Sequence, residues 1–291
     1  MNSAKEWLEK SMNTQGTLSE SYMEEQSNKL GQTKEELLKE MKKRWAIMSN
    51  SAQKGLHGAL QPLGGIIGGE AYKMREYQKR NQSYSGSALV DAMAYAFSTS
   101  EYNASMGKIC AAPTAGSAGI VPAAILSAMN QYGFSEESCL RALFTAGGIG
   151  ELIAKTATVS GAEGGCQAEC GSAAAMAAGA LVELSGGSAE MVFHAASIAL
   201  KNVMGLVCDP IAGLVEAPCS KRNASGVANA MISADMALAG IESIIPFDEV
   251  IITMKEVGDS MDPDLRETGK GGLAATPTGK KIADRIFGRD E

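Results

Sequence analysis

Four of the six cysteines fall within 54 residues, Cys166 and Cys170 in GAEGGCQAECGSA, then Cys208 and Cys219 in GLVCDPIAGLVEAPCSKRNA. Cys166 and Cys170 are four apart, which puts both thiols on one face if that segment is helical. Ten residues separate Cys208 from Cys219. Pro210, Gly213 and Pro218 make that stretch a turn-rich loop able to bring two thiolates to one point. Three chemistries fit: ordinary buried thiols, a structural zinc site, or ligation of an iron–sulfur cluster. Zinc modules favour C-x(2–4)-C pairs, and only one loose pair is present. Spacing alone does not choose among the three.

The elements that must position these thiols are helical. Ala, Met and Leu dominate and alternating β-branched runs are scarce, so the fold class expected is all-α, an Ala/Gly-rich bundle with loops carrying the cysteines. Thr33-Lys34-Glu35-Glu36 is a capping box opening a helix through about Met48, with Leu37, Leu38, Met41 and Trp45 on one stripe. Ser135 and Ser188 each precede an acidic first turn and an apolar helix, the second expected over Met191 to Val203. Gly55 to Leu60 and Gly64 to Gly69 read as loops or tight crossings. Residues 1–84 are expected to form a helical arm with a Gly-rich connection, the first thirty or so a short helix or two, or a partly ordered arm. Residues 85–291 are expected to form one continuous helical region. No Lys or Arg occurs between Lys155 and Lys201, where the only acids are Glu163, Glu169, Glu183 and Glu190. That segment is expected to be packed interior, and the polar N-terminal third outer surface.

Composition narrows the partners. The chain has 291 residues, 26 Lys+Arg against 33 Asp+Glu, a net charge of −7 and 5% aromatics. An acidic chain with few rings lacks the basic face and stacking surface that nucleic acid needs. The charge-free run from Ile109 to Ser135 is long enough for a bilayer on count. It carries Pro113, Pro122 and three glycines, which point to closely packed buried backbone, so no membrane span is expected. The start, MNSAKEWLEKSMNTQG, lacks a signal-peptide apolar core. A cytoplasmic, reducing setting follows as the expectation, with no disulfide framework.

The surrounding blocks carry a resemblance. Cys110 to Ala123 (CAAPTAGSAGIVPA) resembles the APT-x-G-x-x-GI-x-PA block of iron–sulfur L-serine dehydratases. Ser160 to Glu169 (SGAEGGCQAE) is similar to that family's SGAE-x-GCQ-x-E block. Gly205 to Gly213 (GLVCDPIAG), with Pro218-Cys219 and Arg222-Asn223-Ala224, resembles its GL-x-CDP-x-AG…PC…RNA block. Arg266-Glu267-Thr268 and Gly271 to Ala274 resemble its RET…GGLA ending. The four blocks occur in order over roughly 85–277, and the resemblance is to the alpha chain or catalytic alpha domain.

The resemblance implies that Cys166, Cys208 and Cys219 are the protein ligands of a [4Fe-4S] cluster. It carries no ligand role onto Cys170, a spare thiol one turn away, and Cys110 and Cys139 are expected to be packing residues. Three ligands leave one iron open as a Lewis acid for the β-hydroxyl of L-serine. The products implied are pyruvate and ammonia, without pyridoxal phosphate; no clear Schiff-base lysine signature stands in the sequence. Thr114, Gly116 and Ser117 form a turn able to bind a carboxylate, or a tight turn built for packing. Lys221, Arg222 and Asn223 are candidates for holding substrate or offsetting cluster charge, with a solvated turn as the plain alternative. Glu163 is placed to orient an ammonium or to cap a helix. Arg266 ranks below Arg222 as a clamp.

No base stands out. His194 lies on the helix leading to Cys208 and is expected to be partly buried and satisfied; His57 lies outside the matching blocks. The family implies a beta subunit that completes the site in a hetero-oligomer, so the base is expected from that partner. The sequence closes FGRDE without a cysteine, so a tail thiol capping the fourth iron is not expected. Two other functions fit the residues: a related β-eliminating lyase such as an L-cysteine desulfhydrase, and a non-catalytic helical assembly subunit.

Overall fold

The computed structural model describes residues 1–14, 16–80 and 83–288. The closing residues 289–291, on which the expectation about a tail thiol partly rests, lie outside that set. The described chain is all-α. Its helices are α1 (Ala4–Thr14), α2 (Leu18–Leu30), α3 (Lys34–Lys54), α4 (Glu70–Gln78), α5 (Gly86–Ala104), α6 (Ile120–Tyr132) and α7 (Glu136–Thr156). There follow α8 (Gly161–Cys166), α9 (Ser172–Leu184), α10 (Ala189–Lys201), α11 (Cys219–Leu238), α12 (Phe247–Asp259) and α13 (Pro277–Phe287). Among the described residues the only β pairing is one isolated parallel bridge, Cys208 to Arg266.

The helix starts follow from local chemistry. Thr33 Oγ1 accepts from Glu36 N at 3.2 Å and Glu36 Oε2 accepts from Thr33 N at 2.8 Å, a closed capping box. The helix it opens runs to Lys54, beyond the expected Met48, because no breaker intervenes before Gly55. Ser135 and Ser188 cap α7 and α10 through Ser138 N and Met191 N. Gly55 to Gly69 is a short 3-10 turn (Gly55–His57) followed by loop.

α9 is the hub. Its residues from Ser172 through Val182 are all buried, and α6, α7, α10 and α11 pack around it. Alanine and glycine fill this helix because helices meeting on every side leave no room for longer side chains. The run from Ile109 to Ser135 becomes a turn and the buried 13-residue α6. No helix among the described residues is long and apolar enough to cross a membrane.

The N-terminal region is mostly exposed or half-buried, as expected, but it carries one deep anchor. Trp7 is wholly buried, its ring 5.5 Å from Tyr22 and 5.7 Å from Phe193, with Nε1 donating to Ser21 Oγ at 2.8 Å. The indole lies directly over Gly148 of α7, where a Cβ would collide with it. A polar sequence thus hides one large anchor. Trp7→Ala is expected to cost about 4 kcal/mol, the usual loss for emptying a buried indole site. Urea unfolding of the full chain checks this; a loss under about 1 kcal/mol would mean α1 is dispensable to the bundle.

Candidate active site

Three segments carry the clustered cysteines. The first, 160–171, is not the continuous α-helix that an i, i+4 reading assumes. α8 breaks at Gly165 (φ 75°, ψ −177°), and Gln167–Gly171 form a π turn leading into α9. Only glycine suits that position, since a Cβ would stand 2.8 Å from Leu206 O. Gln167, buried, holds the wide turn: its Nε2 donates to Met254 O at 2.9 Å and its Oε1 accepts from Gly205 N at 2.8 Å. The thiols of Cys166 and Cys170 remain neighbours across the turn, with a hydrogen bond between them.

Cys208 is fixed by main chain. Its N–H donates to Leu265 O at 2.8 Å and its carbonyl accepts from Glu267 N at 2.7 Å. The next residue, Asp209, is buried; it holds Arg222 Nη2 at 2.7 Å and accepts from Leu273 N at 2.7 Å. Cys219 opens α11 after the loop from Asp209 to Pro218, as the turn residues there suggested.

All four thiols are buried. The hydrogen bond from Cys170 lowers Cys166, helped by the Arg222 guanidinium and opposed by burial. Burial, Cys166 and Glu169 push Cys219 up to about 12, against the pull of Arg222. Burial pushes Cys208 up as well, with Glu169 and Cys166 adding to it. Buried thiols that raise one another's pKa ionise together only with a cation among them. Soft sulfur donors select zinc, copper(I) or iron–sulfur clusters. A single zinc ion would hold its thiolates about 3.8 Å apart, from the tetrahedral geometry of a 2.3 Å bond. Among the described residues no three cysteine sulfurs lie within 4.8 Å of one another. A cubane, whose thiolates each bind a different iron, also takes such a soft donor set.

One acid at this point was missed by sequence reasoning. Glu169 is buried in the π turn, its Oε2 3.8 Å from Cys208 Sγ and its carboxyl hydrogen-bonded to Thr114. Burial raises its pKa and the Glu267 charge adds to this, while Thr114 and Cys208 oppose. Glu169, Cys208 and Glu267 bring ligand atoms within 4.8 Å of one another. Gly161 keeps space open beside them: a Cβ there would stand 2.7 Å from Glu169 Oε2 and 3.0 Å from Cys208 Sγ. The signal that could have found Glu169 is a carboxyl buried in an apolar run without any basic residue.

The other candidates are distributed around this point. Thr114 Oγ1 lies 3.0 Å from Ser117 Oγ, which joins that turn to Glu169. Asn223 ties the same turn to Cys219: its Nδ2 donates to Gly116 O (2.7 Å) and Cys219 O (2.9 Å), and its Oδ1 accepts from Gly119 N (3.0 Å). Its amide is therefore occupied by main chain. Burial would lower the Arg222 guanidinium, but Cys166, Asp209 and Cys219 keep it up, so it remains a cation beside the thiols. Glu163 is exposed before the Gly165 break and bonds to Thr158, and Arg266 reaches its carbonyl at 3.5 Å. His194 Nδ1 accepts from Ser243 N at 3.2 Å, partly buried and satisfied as expected; His57 is exposed.

Lys221 turns to Glu70, 2.7 Å away, on α4. Burial would raise Glu70, but Lys221, the Glu101 carboxyl and Gly68 N–H take it down to about 2. Burial and Glu70 push the wholly interior Glu101 up to about 7. Folded, the pair holds one proton between about 2 and about 7, whereas unfolded carboxyls titrate near 4.5. Stability therefore rises from about pH 2 to 4.5, where the unfolded chain binds more protons, and falls from 4.5 to about 7, where the folded chain does. Glu101→Gln supplies a permanent N–H donor to Glu70 and is expected to remove the fall, a gain of roughly 3 kcal/mol at pH 8. Urea unfolding at pH 5 and pH 8 measures it; an equal fall in both proteins would place the proton elsewhere.

An all-α frame thus brings four buried thiols and the carboxyls of Glu169 and Glu267 into one neighbourhood. A sequence model of the family described as serine dehydratase alpha chain matches residues 13–274. The chain is 49% identical over 284 residues to a Bacillus subtilis protein named probable L-serine dehydratase, alpha chain, covering 98% of this chain and 94% of that one. It is 55% identical over 260 residues to the L-serine dehydratase, alpha chain, of Peptoniphilus asaccharolyticus, covering 89% of each. Against the Escherichia coli L-serine dehydratase TdcG it is 39% identical over 237 residues, covering 79% of this chain and 52% of that longer one. The chain belongs to the serine dehydratase alpha chain family.

Proposed function

We propose that the chain is the cluster-binding subunit of an L-serine ammonia-lyase, converting L-serine to pyruvate and ammonia. The observation that carries the reading is the meeting of Cys166, Cys208 and Cys219 with Glu169 in one buried place, in a chain whose relatives are named L-serine dehydratase. Cys166, Cys208 and Cys219 would hold a [4Fe-4S] cluster. Bound by three thiolates, such a cluster supplies an open Lewis-acid iron for a hydroxyl leaving group.

The chain's own residues do the rest. Glu169 and Glu267 present carboxylates to the substrate's α-ammonium, in a place where burial strengthens the attraction. Thr114 Oγ1 donates to Glu169 and accepts from Ser117 Oγ, 3.0 Å away, so the turn that Asn223 anchors orients that carboxylate. Arg222, held by Asp209, balances the thiolates. Asn223 and Lys221 act on main chain and on Glu70, so in this reading they support the site from behind. The base that removes the α-proton comes from a beta subunit: His194 is engaged by Ser243 N and His57 is exposed. Nearly half of the E. coli relative lies outside the match, which supports a second module.

The test is anaerobic. The purified chain is reconstituted with iron and sulfide, its content and visible spectrum measured, and pyruvate followed from L-serine with and without the beta subunit. About four iron and four sulfide per chain, with activity only in the mixture, support the reading. No uptake of either would overturn it.

A further inference from the structure

Neither Glu216 nor the Gly-rich connection has a part in the chemistry above, yet they meet beside Cys219. Glu216 lies three residues before that cysteine and is 3% exposed. Its Oε1 accepts from Gly64 N at 2.7 Å, and its Oε2 from Ile66 N at 2.8 Å and Ile67 N at 3.2 Å. Three main-chain donors converging on one buried carboxylate form a charge-assisted nest. The main chain of Glu216 also enters the first turn of α11, its carbonyl accepting from Ser220 N at 3.0 Å. On the far side of Cys219, Lys221 meets Glu70, whose other oxygen accepts from Gly68 N at 2.6 Å. Residues 64–70 are thus fastened to the chain three residues before Cys219 and two residues after it. The two fastenings are unequal. The Lys221–Glu70 pair is half open to water (53% and 19% exposed) and contributes little, whereas the Glu216 nest is dry.

We propose that Glu216 is a positioning residue for Cys219: held by residues 64–67, it fixes the thiol where the cluster's iron requires it. The proposal rests on Cys219 being a cluster ligand, and its test separates the two. If Glu216 only satisfies loop N–H groups, its loss lowers stability and leaves Cys219 as it was.

Four full-length proteins are compared: wild type, Glu216→Gln, Gly64→Ala and Gly58→Ala. A Cβ on residue 64 would stand 2.6 Å from Glu216 Oε1 and from Leu214 Cδ1, so Gly64→Ala displaces the carboxylate without changing it. Gly58 has an extended backbone (φ 171°) and nothing within 4 Å of a built Cβ, which makes Gly58→Ala the control in the same connection. Two readouts are taken: iron release from the reconstituted proteins to a ferrous chelator, and alkylation of each cysteine by iodoacetamide in the cluster-free proteins, read by peptide mass spectrometry. Glu216→Gln and Gly64→Ala are expected to release iron about tenfold faster and to alkylate Cys219 about tenfold faster, Cys166 unchanged, for loss of a buried charge-assisted nest. Gly58→Ala follows wild type. Lower melting temperatures with wild-type release and wild-type Cys219 alkylation would overturn the proposal. Should the wild type take up no iron, the functional reading fails, and the alkylation arm still decides whether Glu216 holds Cys219.

Discussion

Cys208→Ser, reconstituted anaerobically beside the wild type, is expected to fall from about four iron per chain to less than one and to lose pyruvate formation at least 10³-fold. The size of the effect follows from how Cys208 is held. Its N–H and carbonyl are both fixed by the strand-like bridge to Leu265 and Glu267, so the side chain cannot shift to compensate. A serine hydroxyl is hard and weakly acidic where the site needs a soft thiolate. The same bridge leaves the backbone undisturbed by the exchange, so circular dichroism and melting temperature should stay near wild type. Cys139→Ser is the comparison. That thiol is wholly buried in α7, with its pKa pushed up to about 11 by burial and by Glu136, and takes no part in the site. It should lose about 1–2 kcal/mol of stability for an unpaired buried hydroxyl and keep its iron. Full iron in Cys208→Ser would remove Cys208 from the ligand set.

What could be read in the sequence divides along a physical line. Features set by a few adjacent residues were legible: the Thr33–Glu36 box, the serine caps of α7 and α10, the turn-rich path from Cys208 to Cys219. Each is decided by side chain meeting neighbouring main chain, which spacing encodes directly. The reach of α3 to Lys54 was not, because the expected end at Met48 had no breaker behind it. Trp7 was hidden for a different reason. A single indole among Lys, Glu and Asn leaves no amphipathic period, and its burial depends on Gly148 and Phe193, more than a hundred residues away.

The same division explains why Glu163 was singled out and Glu169 was passed over. On a regular helix, Glu163 and Cys166 share a face, and Glu169 would stand three residues further on that face too. The break at Gly165 swings Glu163 out to Thr158, and the π turn carries Glu169 inward beside Cys208. That turn is stabilised from outside, by Gln167 reaching Gly205 and Met254. Nothing in the local sequence dictates it, and π turns of this kind recur at functional sites.

Glu169→Gln is accordingly expected to leave iron uptake unchanged and to lower kcat/KM for L-serine by about 10²–10³, the cost of removing a buried charged partner from the substrate. Gln keeps the shape and the bond to Thr114, so a fall of that size isolates the charge. The pH profile gives a second readout. Burial and Glu267 raise the Glu169 carboxyl above the ordinary 4.5, so its ionised form builds up later with rising pH than that of an exposed glutamate. The acidic limb of kcat/KM should therefore carry an ionisation above 4.5 in the wild type that is missing in Glu169→Gln, where only the base's own limb remains, since the amide does not titrate. An ammonium bound by Glu169 also predicts where the loss falls. If the contact is equally strong in ground and transition states, KM rises and kcat is kept; if it tightens as the α-carbon loses its proton, kcat falls with KM unchanged. Kinetics on L-serine with the beta subunit present separate these two, and an unaltered kcat/KM would show that the buried carboxylate serves Cys208 alone.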